Sequence, residues 1–117
     1  MKPTVNVRIE FDDKKLTRKI EKASEAALPI LMNEALKDAN AYARMDTGEM
    51  IRSSIRASEP EKGRLVWDTP YAKKVYYAGR PAHDANPNAR LLWAHFAYTQ
   101  HRDKYIKMLN KLAKEKL

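Results

Sequence analysis

The sequence predicts an α+β fold: a small, mainly antiparallel sheet packed against a long N-terminal helix and a C-terminal helix. Three observations carry this. Residues 4–11, "TVNVRIEF", alternate with a period of two, placing Val5, Val7, Ile9 and Phe11 on one side of a half-buried strand. From Leu16 the apolar spacing lengthens to three and four, through Ile20, Ala23, Ala27, Leu31, Ala35, Ala39 and Tyr42. Strand-like segments then stand between helical ones, an order that favours a small sheet covered by helices.

Taken in order, "DDKK" follows the first strand, with Asp12 or Asp13 placed to cap a helix and acids lying near its positive end. That helix is expected to reach about Arg44. Pro29 lies within it and lacks the N–H that a helix interior needs, so a kink or a break into two segments is expected there. In "MDTGEM" Asp46 or Thr47 can cap a new turn, Glu49 completes a capping box with Asp46, and Gly48 permits tight geometry. "IRSSIRAS" and "RLVWDT" read as two strands joined by "EPEKG", with Leu65 and Trp67 on one face of the second and Val66 on the other. "PYAKKVYYAG" reads as a short helix with Pro70 at its first position and Gly79 at its C-cap. Its expected face is Tyr71, Val75 and Ala78, with Lys73, Tyr76 and Tyr77 around it. "RPAHDANPNAR" is a polar loop with two prolines. A last helix begins at about Leu91 or Ala97, runs to Lys116, and carries Phe96, Tyr105, Met108, Leu109 and Leu112 as apolar positions.

At 117 residues the chain has room for one core and is read as a single domain over 1–117. No apolar run approaches the ~20 residues of a membrane helix. The opening "MKPTVNVRIEF" has no continuous apolar core of the secretory-leader kind. There are no cysteines, which excludes disulfides, thiol catalysis and thiolate zinc sites together. The formal net charge of +8 favours an acidic partner: nucleic acid, an anionic membrane face or an acidic protein surface. Part of that charge lies in "RDKYIKMLNKLAKEKL", with six Lys and Arg against two acids, and reads as the solvated face of the last helix.

No catalytic constellation emerges. Of three histidines, His95 and His101 are six apart, the wrong spacing for one helical face, and His83 stands beside Asp84. Ser24, Ser53, Ser54 and Ser58 lie outside any nucleophile elbow. Three glycines cannot build a dinucleotide fingerprint. The acids stand mostly beside Lys or Arg, as in surface ion pairs. No cofactor, metal or small-molecule substrate is expected. "YAKKVYYAGR" interleaves aromatic and basic residues, a combination that suits single-stranded nucleic acid, but a chain this short needs its aromatics inside, which favours Trp67, Tyr71 and Val75 as core with Lys73, Lys74 and Arg80 solvated. A small basic nucleic-acid-binding regulator is one reading. A small basic ribonuclease would need a His or Arg-Lys cluster that the spacing does not assemble.

Two segments resemble a family. "DTGEMIRSS", residues 46–54, is similar to the Thr-Gly-x-Leu-Arg-x-Ser element of tailed-phage minor capsid and tail-completion (head-tail joining) proteins, with Met50 at the usual leucine. "LVWDTPYAKKVYYAG", residues 65–79, is similar to the second element of that family: a strand ending near Trp, then Thr-Pro-Tyr-Ala, an aromatic pair and a glycine. "NARLLWAHFAYTQHRDKYIKMLNKL", with Trp93, matches its closing helix, but the basic character of that helix is not a family feature. The resemblance implies a non-enzymatic virion protein, assembled in the bacterial host cytoplasm, that acts at the neck between portal and tail. Its implied partners are other neck, portal or tail proteins and further copies of itself in a ring. DNA contact is secondary, and no membrane is involved. Thr47, Gly48, Met50, Arg52, Ser54, Trp67, Pro70, Tyr71 and Gly79 are then expected to shape the fold, with Met50 and Ile51 turned inward, Arg52 and Ser53 bonded to backbone or a neighbouring strand, and Tyr71 under the sheet. Tyr76, Tyr77, Arg80 and His83 are the expected protein contacts, with the 80–90 loop as a contact element.

Overall fold

The computed structural model describes residues 7–10, 13–23, 26–43, 48–78 and 88–116. The fold is α+β. Its order is β1 (Val7–Glu10), α1 (Lys14–Lys22), α2 (Ala27–Asn40), α3 (Glu49–Ala57), a 3-10 turn (Pro60–Lys62), β2 (Arg64–Trp67), α4 (Ala72–Tyr77) and α5 (Trp93–Lys116). Among the described residues the sheet has two strands. They pair antiparallel, with Val7 opposite Trp67, Arg8 opposite Val66, Ile9 opposite Leu65 and Glu10 opposite Arg64. No described helix is long and apolar enough to cross a membrane.

The alternation in the first strand holds where it is described: Val7 is buried, Ile9 half-buried, Arg8 and Glu10 exposed. Val5 and Phe11 lie outside the described residues. Asp13 caps α1, its carboxylate accepting from the N–H of Lys15 at 3.0 Å and of Leu16 at 3.2 Å. The expected division of the long helix occurs, but it falls between Ala23 and Ala26, upstream of Pro29. Pro29 thereby becomes the third residue of α2. Its missing N–H costs nothing there, because the first turn of a helix has no intrahelical acceptor for it.

α2 lies along α5. Alanines at 27, 35 and 39 of α2 and at 94 and 97 of α5 are buried, so the backbones can approach closely. Leu31, Met32, Tyr105 and Leu109 fill the rest of that layer. A partly buried polar cluster joins the two helices. The Asp38 carboxylate accepts from the Tyr105 hydroxyl at 2.9 Å and from the Lys104 ammonium at 2.5 Å, while Glu34 accepts from Lys104 at 3.1 Å. Burial, and then the bond to Asp38, hold the Tyr105 phenol well above the usual tyrosine range. The Lys104 bond, followed by that of Lys37, holds Glu34 below the ordinary glutamate value.

"IRSSIRAS" is helical, against the strand expected of it. α3 spans Glu49–Ala57 and starts from Gly48, whose φ of 80° is open to glycine at no steric cost. Its residues repeat at four (Ile51 and Ile55, Arg52 and Arg56, Ser54 and Ser58), which is the spacing of one helical face. Met50, Ser53 and Ser54 are buried. The Ser53 and Ser54 hydroxyls donate back to the carbonyls of Met50 (2.7 Å) and Ile51 (2.6 Å), so small polar residues can face the core without an unmet donor. The second strand therefore pairs with the first, not with this segment. The 3-10 turn ends in Gly63 at φ 73° and turns the chain from α3 into β2.

Candidate interaction surface

The two motif segments are brought together. α3 packs along β2 on the side away from β1. The Asp68 N–H donates to Ser53 Oγ at 3.2 Å, the Val66 N–H donates to Ser58 Oγ at 2.8 Å, and the Thr69 hydroxyl donates to the Met50 sulfur at 3.7 Å. Arg56 pairs with Asp68 at 3.1 Å. Asn40, at the end of α2, ties both motifs to the rest of the fold. Its amide donates to Ser54 Oγ at 2.9 Å, and its carbonyl oxygen accepts from the Trp67 indole, also at 2.9 Å. Met50, Ser54 and Trp67, expected to shape the fold, are buried, and Ile51 is half-buried against the core. Ser53 bonds backbone of both its own helix and the segment after β2. Arg52 lies outside with Glu49 at 3.2 Å, its guanidinium over Gly48.

Several expected positions move. Pro70 lies two residues before α4 and is exposed, since Tyr71 is the N-cap and Ala72 the first helical residue. The Ala72 N–H donates to the Thr69 carbonyl, so Pro70 sits inside a turn that sets the exit from β2. Tyr71 is 40% exposed rather than packed under the sheet. Tyr76, expected as a contact, is core: it is 2% exposed, stacked on Trp67 at 6.4 Å and edge-on to Trp93 at 4.6 Å. Its carbonyl accepts from the Leu92 N–H, and its hydroxyl accepts from the His95 N–H. Burial pushes its phenol up to about 12. Ala72 and Tyr76, four apart, define the inner face of α4, and Val75 is half-buried beside them. Tyr77, the other expected contact of this helix, is 58% exposed, with its ring edge-on to Tyr76 at 5.0 Å. Thr47, Gly79, Arg80 and His83 lie outside the described residues, as do the proposed caps Asp46 and Thr47 and most of the 80–90 loop.

Tyr77 borders an open cleft of about 610 Å³ over the outer face of the sheet. Arg8 and Lys73 line it beside Glu59 and Asp68, with Val66 in its floor. The cleft is therefore of mixed charge, unlike the one-signed groove that tracks a phosphate backbone. Exposed apolar side chains nearby in sequence are Tyr71 and Tyr77 of the second motif and Ile55 just after the first, the last 68% exposed.

The other chemical candidates are absorbed by the fold. Ser53, Ser54 and Ser58 are all hydrogen-bonded to structure, and Ser24 lies outside the described residues. Among the described residues no three His, Asp or Glu side chains stand close enough to hold a metal ion. Asn40, Asp38 and Ser58 carry more of the structure than their sequence context suggests. Glu34 and Asp38, four apart on a helix and opposite a basic helix, were the available signal for one pair; Asn40 carries no comparable one. Compared with protein-family models, with curated proteins and with solved structures, the chain matches none.

Proposed function

We propose that the chain is a structural protein of a tailed-phage or prophage virion, a minor capsid or head-tail joining component of the neck that works by protein-protein contact and not by catalysis. The observation that supports this most is the docking of the two family-like segments onto one another. Ser53 and Met50 of the first meet Asp68 and Thr69 of the second, and Ser58, four residues past the first, meets Val66. The candidate nucleophiles Ser53, Ser54 and Ser58 are hydrogen-bonded joints of the scaffold. The scaffold presents Tyr77, Tyr71 and Ile55 outward, and tyrosine is a favoured anchor in protein interfaces. Several copies would form a ring through a head-to-tail contact that closes by rotation. Its partners are neck, portal or tail proteins.

The test is electron microscopy of a lysate from a phage lacking this gene product. Separate heads and tails, or heads emptied of DNA, are the expected result. Intact, infectious particles would overturn the reading.

A second reading, a small nucleic-acid-binding regulator, is favoured by exposed Lys73 and Lys74 beside exposed Tyr77. The burial of Tyr76 leaves it one stacking ring fewer. Titration with single- and double-stranded oligonucleotides near physiological salt separates the two, since micromolar binding that falls steeply with salt belongs to the second.

A further inference from the structure

The two edges of the sheet are built differently. On β2, each outward main-chain group that would accept a third strand is already engaged. Arg64 exchanges hydrogen bonds with the Glu59 backbone at 2.9 and 3.1 Å. The Ser58 hydroxyl accepts from the Val66 N–H and donates to the Val66 carbonyl, and Ser53 takes the Asp68 N–H. Side chains and one backbone residue thus close that edge.

β1 forms the other edge. In an antiparallel pair, opposed residues either both point their N–H and C=O at each other or both point them away. Val66 and Arg64 point theirs away from β1, so their partners Arg8 and Glu10 point theirs away from β2. Among the described residues no group meets the outward N–H and C=O of Arg8 and Glu10, and no carboxylate pairs with the Arg8 side chain. Both residues are exposed.

We infer that β1 pairs with β1 of a second copy of this chain, antiparallel, with Ile9 opposite Ile9 across a two-fold axis. In that register Arg8 exchanges main-chain hydrogen bonds with the second copy's Glu10, and the symmetry repeats the exchange. The same alignment sets each arginine side chain opposite a glutamate on the outer face. Glu10 already holds Arg64 through one carboxylate oxygen at 2.8 Å, which leaves the other for the incoming Arg8. The half-buried Ile9 side chains meet on the inner face. The alternative registers that keep the main-chain bonds set Arg8 against Arg8 or Glu10 against Glu10, and directly opposed like charges are unfavourable. Exposed edges are commonly blunted by charges of one sign that repel a second copy. An arginine and a glutamate two residues apart do the reverse: they are self-complementary. This isologous contact is distinct from the head-to-tail contact of a ring, and it stands or falls independently of the virion reading.

The test is sedimentation equilibrium of the full chain over a range of concentrations, with thermal melts confirming that each variant is folded. The wild type is expected to show a monomer–dimer equilibrium. R8E and E10R should each weaken self-association by at least about tenfold, because two attractive pairs become repulsive. An equimolar mixture of the two variants should dimerise again, since a strand carrying two acids then faces a strand carrying two arginines. R8P removes an outward donor while sparing the bonds to β2, a substitution that edge strands tolerate, and should abolish the dimer. A wild type that stays monomeric, a mixture no more associated than either variant alone, or an R8P protein that dimerises like the wild type would each overturn the inference.

Discussion

Ser58, at the C-terminal end of α3, is where the packing of that helix on β2 can be tested most sharply. Its hydroxyl stands 2.8 Å from the Val66 nitrogen and 3.3 Å from the Val66 oxygen, and Val66 is only 7% exposed. Ser58→Ala removes the acceptor and leaves a buried backbone N–H unmet. An unsatisfied buried donor costs about 1–3 kcal/mol, and the second, longer bond adds little. The expected loss is therefore about 2 kcal/mol, or a fall in melting temperature of about 6–10 °C for a chain of this size. Ile55→Ala, on the exposed side of the same helix, is the control and should stay within about 0.5 kcal/mol of wild type. Urea denaturation gives the stability, and amide exchange gives the location. The Val66 amide should lose protection in Ser58→Ala, while Trp67, whose N–H faces β1, should keep its own. A variant as stable as wild type, with Val66 still protected, would refute the idea that α3 seals the strand through this hydroxyl.

Two further substitutions probe the core and the first helix. Tyr76→Ala should cost about 3–5 kcal/mol, as for other buried aromatics, whereas Tyr77→Ala should leave stability within about 0.5 kcal/mol and, on the neck reading, impair incorporation into particles; urea titration and particle purification measure the two effects. Asp13 accepts hydrogen bonds from Arg102 and Tyr98, which together hold its carboxyl well below the usual range. A carboxyl depressed in the folded state adds stability that is fully present above its unfolded value near 4 and is lost as pH falls below it. Asp13→Asn should therefore be less stable than wild type at pH 7, and the gap should narrow on acidification toward pH 2, as followed by thermal melts at each pH.

How much of this was legible beforehand depends on what each segment's period could decide. β1 announced itself because Val7, Arg8, Ile9 and Glu10 alternate cleanly and one of its faces meets the core. The division of the long helix was legible from Pro29, but its position was not. A proline is cheapest in a first turn, so the helix restarts just before it instead of bending around it. "IRSSIRAS" misleads because Ile and Ser suit a strand as easily as a helix over a few residues. Its repeat at four, with Ser54 and Ser58 in phase, was the signal in favour of a helix, and the back-bonds of Ser53 and Ser54 show why serines are tolerated on its inner face. The choice between Tyr76 and Tyr77 was beyond the pattern. α4 has six residues, too few to establish a phase, and the decision is made by Trp93, seventeen residues on, closing against Tyr76.

The same logic separates what a motif is from what it does. Read along the chain, "DTGEMIRSS" and "LVWDTPYAKKVYYAG" are two patches of suggestive residues, one rich in hydroxyls and the other in aromatics and lysines. Folded, Ser53 takes the Asp68 N–H beside the strand, Ser54 is bonded to Asn40, and the aromatics divide, with Trp67 and Tyr76 turned inward and Tyr71 and Tyr77 outward. The Ser53 hydroxyl donates to the Met50 carbonyl and accepts from the Asp68 N–H, so in the fold it joins α3 to the segment after β2. Closing one edge of a two-stranded sheet also directs association to the other, because main-chain pairing needs unmet donors and acceptors. The serines of α3 and the Arg8–Glu10 pair are then two halves of one arrangement: the first denies a third strand on β2, and the second selects the copy that joins at β1.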